Sequence, residues 1–269
     1  MAQLRSLSLN FHPRHDHHHI NVALLSRKRI ILPALTNLNF RGINKYLEDL
    51  VVGVDSPRLA DIKVAFFNEF TFDLSKLSEF VNKIEMHKSH RRAYILSSED
   101  SMSVSFIRQG ASARLRFQVF CERSSEQLDS MARICVHFSE FIFNVEDLRA
   151  SATRPSDWLD RGYCSMQWRE LINSFTGVKR FHVAGNLWTD IVRALRLPYW
   201  RRGPLLPALC KLYTPYPGPR HTPPTEALVE LVTSRRFYGH SIGVEYEGLV
   251  SGLYGTGTAC AQYGASTTR

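Results

Sequence analysis

The chain has 269 residues, of which 44% are hydrophobic, and it carries a formal net charge of +9. This composition is that of a globular protein large enough to bury a core in one large or two small domains. No run approaches the roughly 18 consecutive apolar residues of a membrane helix and Met1 to Arg5 show no secretory signal, so the expected location is cytoplasmic or nuclear.

The cysteines exclude two common classes of small domain. Their number is odd, and no two of them form a Cys-x-x-Cys pair, which argues against a disulfide framework and against a thiolate zinc site. We expect reduced thiols that are buried as small apolar groups. The five are Cys121, Cys135, Cys164, Cys210 and Cys260.

The first predicted element is a strand from Leu4 to Phe11. A polar tract from His12 to His19 follows, with five imidazoles in eight positions. Imidazoles are good ligands for zinc, nickel or copper, but a tract without fixed geometry favours a solvated loop over a metal site. We therefore predict no bound metal and no cofactor.

The strongest pattern is an internal repeat. The segment Leu32 to Phe40 recurs in apolar outline at Ser56 to Val64, with Leu38 matching Ile62 at an offset of 24 positions. This offset lies within the range of about 20 to 29 residues of a leucine-rich repeat. The apolar spacing i, i+3, i+5 ends in the alternation of a half-buried strand, so each copy is predicted to form a strand.

A helix is predicted after each of these strands. Leu47, Leu50, Val51 and Val54 fall on one helical face between Asn44 and Val54. The same spacing recurs between Leu74 and Ile84, so the repeating unit is a strand followed by a helix. The next runs alternate, and they predict three further strands of one sheet at Ala93 to Leu96, Met102 to Ile107 and Leu115 to Cys121.

The second half of the chain repeats the alternation of helix and strand. Gly177 is interpreted here as a left-handed C-cap that ends a helix. The predicted elements are a helix at Leu128 to Cys135, a strand at Phe138 to Phe143, a helix at Trp168 to Phe175, a strand at Val178, a helix at Trp188 to Leu195, a strand at Leu209, a helix at Thr225 to Arg236 and a strand at Ile242 to Tyr246.

Together these elements predict an α/β fold. We expect a leucine-rich-repeat-like solenoid over residues 1–247, with strands pairing in chain order into a curved, largely parallel sheet and helices on the convex side. Residues 248–269 contain Gly, Ser, Thr and Ala without apolar periodicity, so they are predicted to be a disordered tail.

Several stretches resemble one protein family. They are Leu32 to Gly42, Lys45 to Val51, Asp55 to Leu59, Phe66 to Asn68, Phe175 to Val178 and Leu228 to Tyr246. Over residues 3–247 the chain is similar to the leucine-rich-repeat region of the F-box proteins of mushroom-forming basidiomycete fungi.

The resemblance implies a substrate receptor of a cullin-type ubiquitin ligase, in which an F-box docks the Skp-type adaptor and the repeats hold the target. No F-box-like segment precedes Leu4. We therefore expect an N-terminally truncated fragment, which would meet the adaptor only if the full gene product carries an F-box.

The common motifs of nucleotide-binding proteins, zinc proteases and serine hydrolases are absent from the chain. Cys135 and His137 form a weak nucleophile pair without an orienting carboxylate. The carboxylates Glu146, Asp147, Asp157 and Asp160 are interpreted as solvated. We therefore predict no enzyme activity.

Two binding functions stay open. A protein-binding module is favoured, with an unknown target, and the alternative is a basic solenoid that binds nucleic acid, as the net charge would allow. In either case the contacts should come from side chains that alternate with the buried ones on successive strands. The candidate residues are Asn37, Asn39, Arg41, Asp61, Lys63, Glu140, Asn144, Arg180, His182, Lys211 and Tyr213. Both charge signs occur among them, which suits a protein surface better than a uniform polyanion.

Overall fold

A computed structural model describes most of the chain. The described residues are 3–11, 29–67, 73–87, 90–108, 114–153, 164–184, 187–196, 204–215, 225–237 and 239–247. The predicted His12–His19 tract and the predicted disordered tail at 248–269 lie outside these ranges.

The fold is α/β, and most of its strands belong to one large sheet. The strands are β1 (Ser6–Asn10), β2 (Ile30–Ile31), β3 (Asn37–Gly42), β4 (Val54–Asp55), β5 (Asp61–Phe67), β6 (His90–Ser97), β7 (Ser101–Arg108), β8 (Arg114–Phe120), β9 (Asp147–Ala152), β10 (Arg180–Val183), β11 (Lys211–Pro215) and β12 (Gly243–Glu247). The helices are α1 (Asn44–Gly53), α2 (Ser75–Asn82), α3 (Ser124–His137), α4 (Ser139–Ile142), α5 (Cys164–Asn173), α6 (Trp188–Arg196) and α7 (Thr225–Phe237).

Ten strands form the large sheet in the order β1-β3-β5-β8-β7-β6-β9-β10-β11-β12, and β2 pairs with β4 separately. All neighbours in the large sheet are parallel except for the pairs that β7 makes with β6 and β8. The predicted parallel sheet is therefore confirmed, whereas the predicted chain order fails in the middle. After β5 the chain continues into β6, which lies three strand positions away in the sheet. The antiparallel pairs β6–β7 and β7–β8 then bring the chain back to β8, which lies beside β5.

The internal repeat is visible in the strand register. Leu38 on β3 lies directly beside Ile62 on β5, and Phe40 lies beside Val64. All four side chains are buried, so each copy covers the apolar edge of the other. Residues that pair between β3 and β5 are therefore 24 positions apart in the chain, which is the period of the sequence repeat.

Each repeat enters its strand through the same turn. The amide of Leu35 donates to the carbonyl of Leu32, and the amide of Leu59 donates to that of Ser56. Leu209 makes the corresponding bond to Leu206. These turns place a leucine under the core three residues before the first buried strand position, and Leu35, Leu59 and Leu209 are all buried.

The helices form one layer on one side of the sheet. In sequence order α1 packs on α2, α3 on α5, α5 on α6 and α6 on α7, and the Ser78 hydroxyl of α2 donates to the His137 carbonyl of α3. The Glu48 carboxylate of α1 accepts bonds from the first amides of α2, at Lys76 and Leu77. It thereby satisfies backbone donors that a helix start leaves open, and burial raises the pKa of Glu48.

The strand predicted at Phe138 to Phe143 is wrong. The structure has α4 there, with Phe138, Phe141 and Ile142 buried at helical spacing. The turn and strand that correspond to the other copies come slightly later in the chain. The amide of Val145 donates to the carbonyl of Ile142 in the turn, and β9 is the strand that follows.

The left-handed cap predicted at Gly177 is also wrong. Among the described glycines only Gly239, after α7, has a positive φ. Gly177 is constrained by space, because a Cβ at that position would collide with the carbonyl oxygen of Phe143.

A buried histidine pair lies at the entrance to β6. His90 stands where other repeats carry the turn leucine, and its Nδ1 donates to the carbonyl of His87 at 2.7 Å. The two rings stack with centroids 5.3 Å apart. Burial, and then the neighbouring His90 ring, lower the pKa of His87 from 6.5 to about 4, although a backbone bond at Leu59 opposes this shift.

Replacing Ile62 by Ala should lower the free energy of unfolding by about 2 to 5 kcal/mol, because a large, fully buried side chain is cut to one methyl. Urea denaturation measures the change. Lys63→Ala, on the exposed side of the same strand, is the control and should cost less than about 1 kcal/mol. Equal costs for both variants would contradict the assigned alternation.

The His87 environment predicts loss of stability in mild acid. Because the folded-state pKa lies below the unfolded one, the fold favours the neutral ring, and this stabilisation is complete above about pH 6.5 and declines as pH falls toward 4. Between pH 7.5 and 4.5 the loss should be about 2 to 3 kcal/mol. In the His87→Phe variant, urea denaturation should show that the free energy of unfolding falls by about 2 to 3 kcal/mol less over the same pH range than it does in the parent. An unchanged pH profile in the variant would exclude His87 as the cause.

Candidate functional site

The candidate site is the face of the large sheet that points away from the helices. Strand residues alternate between buried positions under the helices and more exposed positions on the other side. Among the described residues, the buried faces of the helices share one apolar core with the inward strand positions, so the second side is the one that faces away from this core. We call this side the open face. It consists of Asn37, Asn39 and Arg41 of β3 together with the residues that pair with them, strand by strand, across the sheet.

Nine of the eleven candidate residues lie on the open face. They are Asn37, Asn39, Arg41, Asp61, Lys63, Arg180, His182, Lys211 and Tyr213. The structure brings them into two groups, one on β3 and β5 and one on β10 and β11, with four strands between them. Their use in binding stays a prediction.

Glu140 and Asn144 do not lie on the sheet. Glu140 belongs to α4, and Asn144 follows that helix. Both residues were selected because a strand was predicted at Phe138 to Phe143, where the structure has α4. The open-face residues at this place are Asp147 and Arg149 of β9.

The sequence analysis missed the central part of the open face. Register pairs place Arg92 and Tyr94 of β6 and Arg114 and Arg116 of β8 in the same rows as the candidate residues. The polar positions between Leu115, Phe117 and Val119 were visible in the sequence. Alternation would have assigned them to the exposed side, but only the strand order shows that they lie between the two groups of candidate residues.

Asp147 is the centre of the charge network on β9 and β10. Its carboxylate is buried, and it lies 3.4 Å from Nε of Arg180 and 3.7 Å from both Nε of Arg149 and Nε2 of His182. The interpretation of Asp147 as solvated is therefore wrong. A buried carboxylate needs such cations to offset its desolvation, so Asp147 fixes the positions of the side chains around it.

The next two strands continue this network. The His182 and Tyr213 rings stack with centroids 4.1 Å apart, and Lys211 Nζ lies 2.7 Å from Oε1 of Glu245. The bond from Lys211 lowers the pKa of Glu245. Burial, followed by the Glu245 charge, raises the pKa of Tyr213. All these groups are held by their neighbours.

An aromatic cluster lies near the ends of β5 and β8. The rings of Phe67 and Phe120 stack with centroids 5.1 Å apart. The Arg41 guanidinium lies 4.6 Å from the centroid of Phe67 and 4.9 Å from that of Phe120. Such cation–π contacts hold an arginine head group in place without neutralising it.

Each acid whose side chain is described on the open face has a basic partner, while several of the described cations there have no acid partner. Asp61 pairs with Lys63 at 3.2 Å, and Asp147 and Glu245 have the partners given above. Among the described residues no ion pair joins Arg41, Arg92, Arg114 or Arg116 to an acid. The middle of the open face is therefore positive.

The structure gives little that would suit catalysis. Burial strongly raises the pKa of the Cys135 thiol inside α3, which opposes formation of the nucleophilic thiolate. Glu146 is paired with Arg91 and Lys179, and Asp157 and Asp160 lie outside the described residues. Within the described ranges no three His, Cys, Asp or Glu residues are grouped as metal ligands.

Comparison with protein-family models, with curated proteins and with solved structures finds no match for this chain. The F-box resemblance therefore rests on the sequence stretches alone. No helix among those described has the length and apolar character needed to cross a bilayer.

Proposed function

We propose that this chain is a protein-binding module and that its contact surface is the open face. The observation that carries the proposal is the uncovered side of a mostly parallel sheet. Parallel sheets are normally covered by helices on both faces. A sheet that keeps one face polar and uncovered presents regularly spaced side chains to a partner.

The size of the open face suits a protein partner. Ten strands at about 4.8 Å spacing extend for about 43 Å, and each strand adds two or three outward side chains about 7 Å apart. This gives an area of several hundred Å², close to the roughly 800 Å² that each partner contributes to a standard protein interface.

The composition of the open face supports the same class of partner. Arginine and aromatic residues are enriched in protein interfaces, and here Arg41 with Phe67 and Arg149 with Tyr94 occur as contacting pairs. Many of these side chains are held by neighbours before a partner arrives. Less conformational entropy is then lost on binding.

Within this proposal the chain is a leucine-rich-repeat-like solenoid with a curved sheet. The 24-residue register of β3 and β5 and the recurring turn before three strands support it. The F-box resemblance then suggests the substrate-recognition part of a ubiquitin-ligase receptor in the cytoplasm or nucleus. Adaptor binding would require an F-box in the full gene product, and the role is binding without catalysis.

Nucleic-acid binding is the second candidate, and one observation favours it. Among the side chains described on the open face, the acids are Asp61, Asp147 and Glu245, whereas the cations are Arg41, Lys63, Arg92, Arg114, Arg116, Arg149, Arg180 and Lys211. A surplus of cations attracts phosphate backbones irrespective of sequence.

The test combines Lys63→Glu with Arg180→Gln, because reversal at Arg180 would place two carboxylates beside each other at Asp147. Captured partners are quantified by mass spectrometry from extracts of the source cells, with and without nuclease treatment. We expect the variant to lose about 90% of its specific protein partners under both conditions, since central arginine contacts contribute strongly to interfaces.

The matched control is Lys45→Glu with Arg236→Gln, which makes the same charge change at exposed helix positions. It should retain its partners, and both variants should melt within a few degrees of the parent because exposed ion pairs contribute about 1 kcal/mol or less. Loss of partners in both variants would contradict the assigned face. If the parent chain loses its captured partners when the extract is treated with nuclease, the nucleic-acid function would be favoured.

A further inference from the structure

Four arginines of the open face have no acid partner in the described part of the chain. They are Arg41 on β3, Arg92 on β6, and Arg114 and Arg116 on β8. We call them the arginine patch. The lysine and arginine residues elsewhere on the open face each lie within 4 Å of a carboxylate.

Two members of the arginine patch are held by neutral contacts. The Arg41 guanidinium lies over the Phe67 and Phe120 rings, and Arg116 Nη2 donates to Oγ of Ser103 at 3.4 Å. These contacts orient the guanidinium groups but leave their charges uncompensated. These uncompensated charges therefore attract an anion.

The patch also has a defined spacing. Arg114 and Arg92 are separated by β7, so their backbones lie about 10 Å apart, and Arg114 and Arg116 are about 7 Å apart along one strand. In an extended polypeptide, side chains that face the same way are two residues, or about 7 Å, apart, and the long arginine side chains reach such carboxylates from either backbone spacing. A short acidic segment can therefore reach several of these guanidinium groups together.

The partner must bring negative charge to this patch. Covering an unpaired guanidinium with a neutral surface removes it from water without compensation, which opposes binding. A carboxylate instead accepts two parallel hydrogen bonds from the planar arginine head group. Electrostatic complementarity thus restricts the protein partners that the open face can take.

Carboxylates on both sides of the patch disfavour a phosphate backbone. Asp61 lies beside Arg114 in register, and Asp147 lies beside Arg92. A polynucleotide carries a charge at every nucleotide and would meet these acids within one strand spacing, whereas a polypeptide can place neutral side chains opposite them. Single-strand binders instead provide a continuous positive groove with free aromatic platforms. Here Tyr94, Phe120 and Tyr213 already contact Arg149, Phe67 and His182 respectively.

We propose that the arginine patch binds an acidic polypeptide segment of the partner, with Asp or Glu carboxylates accepting hydrogen bonds from Arg92 and Arg114. This inference rests on the proposed protein-binding function and adds the chemistry of the partner. The segment needs about six extended residues, because β3 and β6 are four strand spacings, or about 19 Å, apart.

The test measures binding of a labelled peptide of about twelve residues, rich in Glu and Asp, to the full chain by fluorescence anisotropy. A peptide with Gln and Asn at the acidic positions is the first control, and a single-stranded oligonucleotide of similar length is the second probe. Arg92→Gln with Arg114→Gln should weaken binding of the acidic peptide by about tenfold or more, which is the loss of about 1.4 kcal/mol.

The matched variant is Lys45→Gln with Arg236→Gln, which removes the same charge at exposed helix positions outside the open face. It should weaken peptide binding by less than about threefold. Both variants should keep the melting temperature of the parent within a few degrees, since none of the four positions belongs to the core.

Four results would overturn the inference. Equal weakening by both variants would show attraction by net charge alone. Tighter binding of the oligonucleotide, lost with Arg92→Gln and Arg114→Gln, would assign the patch to nucleic acid. Absence of peptide binding, while Lys63→Glu with Arg180→Gln still loses its captured partners, would refute the acidic segment and leave the protein-binding function standing. Absence of both effects would refute both proposals.

Discussion

The fold depends on one register, in which buried side chains of each strand lie directly beside buried side chains of the next. Leu38 beside Ile62 and Phe40 beside Val64 are the clearest case. Because successive strand residues point to opposite sides, a slip by one residue would turn leucine and phenylalanine outward and bring Asn39 and Lys63 under the helices. The same constraint that builds the core therefore also assembles the polar open face.

This constraint explains why part of the structure could be predicted. The 24-residue repeat revealed the pairing of β3 and β5, and the alternation inside each copy assigned Asn37, Asn39, Asp61 and Lys63 to the exposed side. Alternation acts within a single strand, and it needs no knowledge of neighbours. Nine of the eleven candidate residues could be placed in this way because their strands were recognised.

The errors arise where local patterns compete. Phe138, Phe141 and Phe143 match the repeat spacing, but Phe138 lies between α3 and α4 and Phe141 lies within α4, where helical spacing also buries them. The real strand carries Leu148 and the small Ala150, whose weaker apolar signal was outweighed by three phenylalanines. The position of β7 between β6 and β8 depends on antiparallel pairing over a distance, which residue periodicity does not encode.

The open-face residues left out of the candidate set change the physical character of the site. The described residues of β3, β5, β10 and β11 already carry Arg41, Lys63, Arg180 and Lys211 against the single acid Asp61. β6 and β8 add Arg92, Arg114 and Arg116 without adding an acid. Strand order therefore determines the charge of the face, and two surfaces with the same alternation but a different order would attract different partners. In this chain the inverted middle concentrates unpaired arginine between paired flanks, which is the arrangement expected for selective contact with a locally acidic surface.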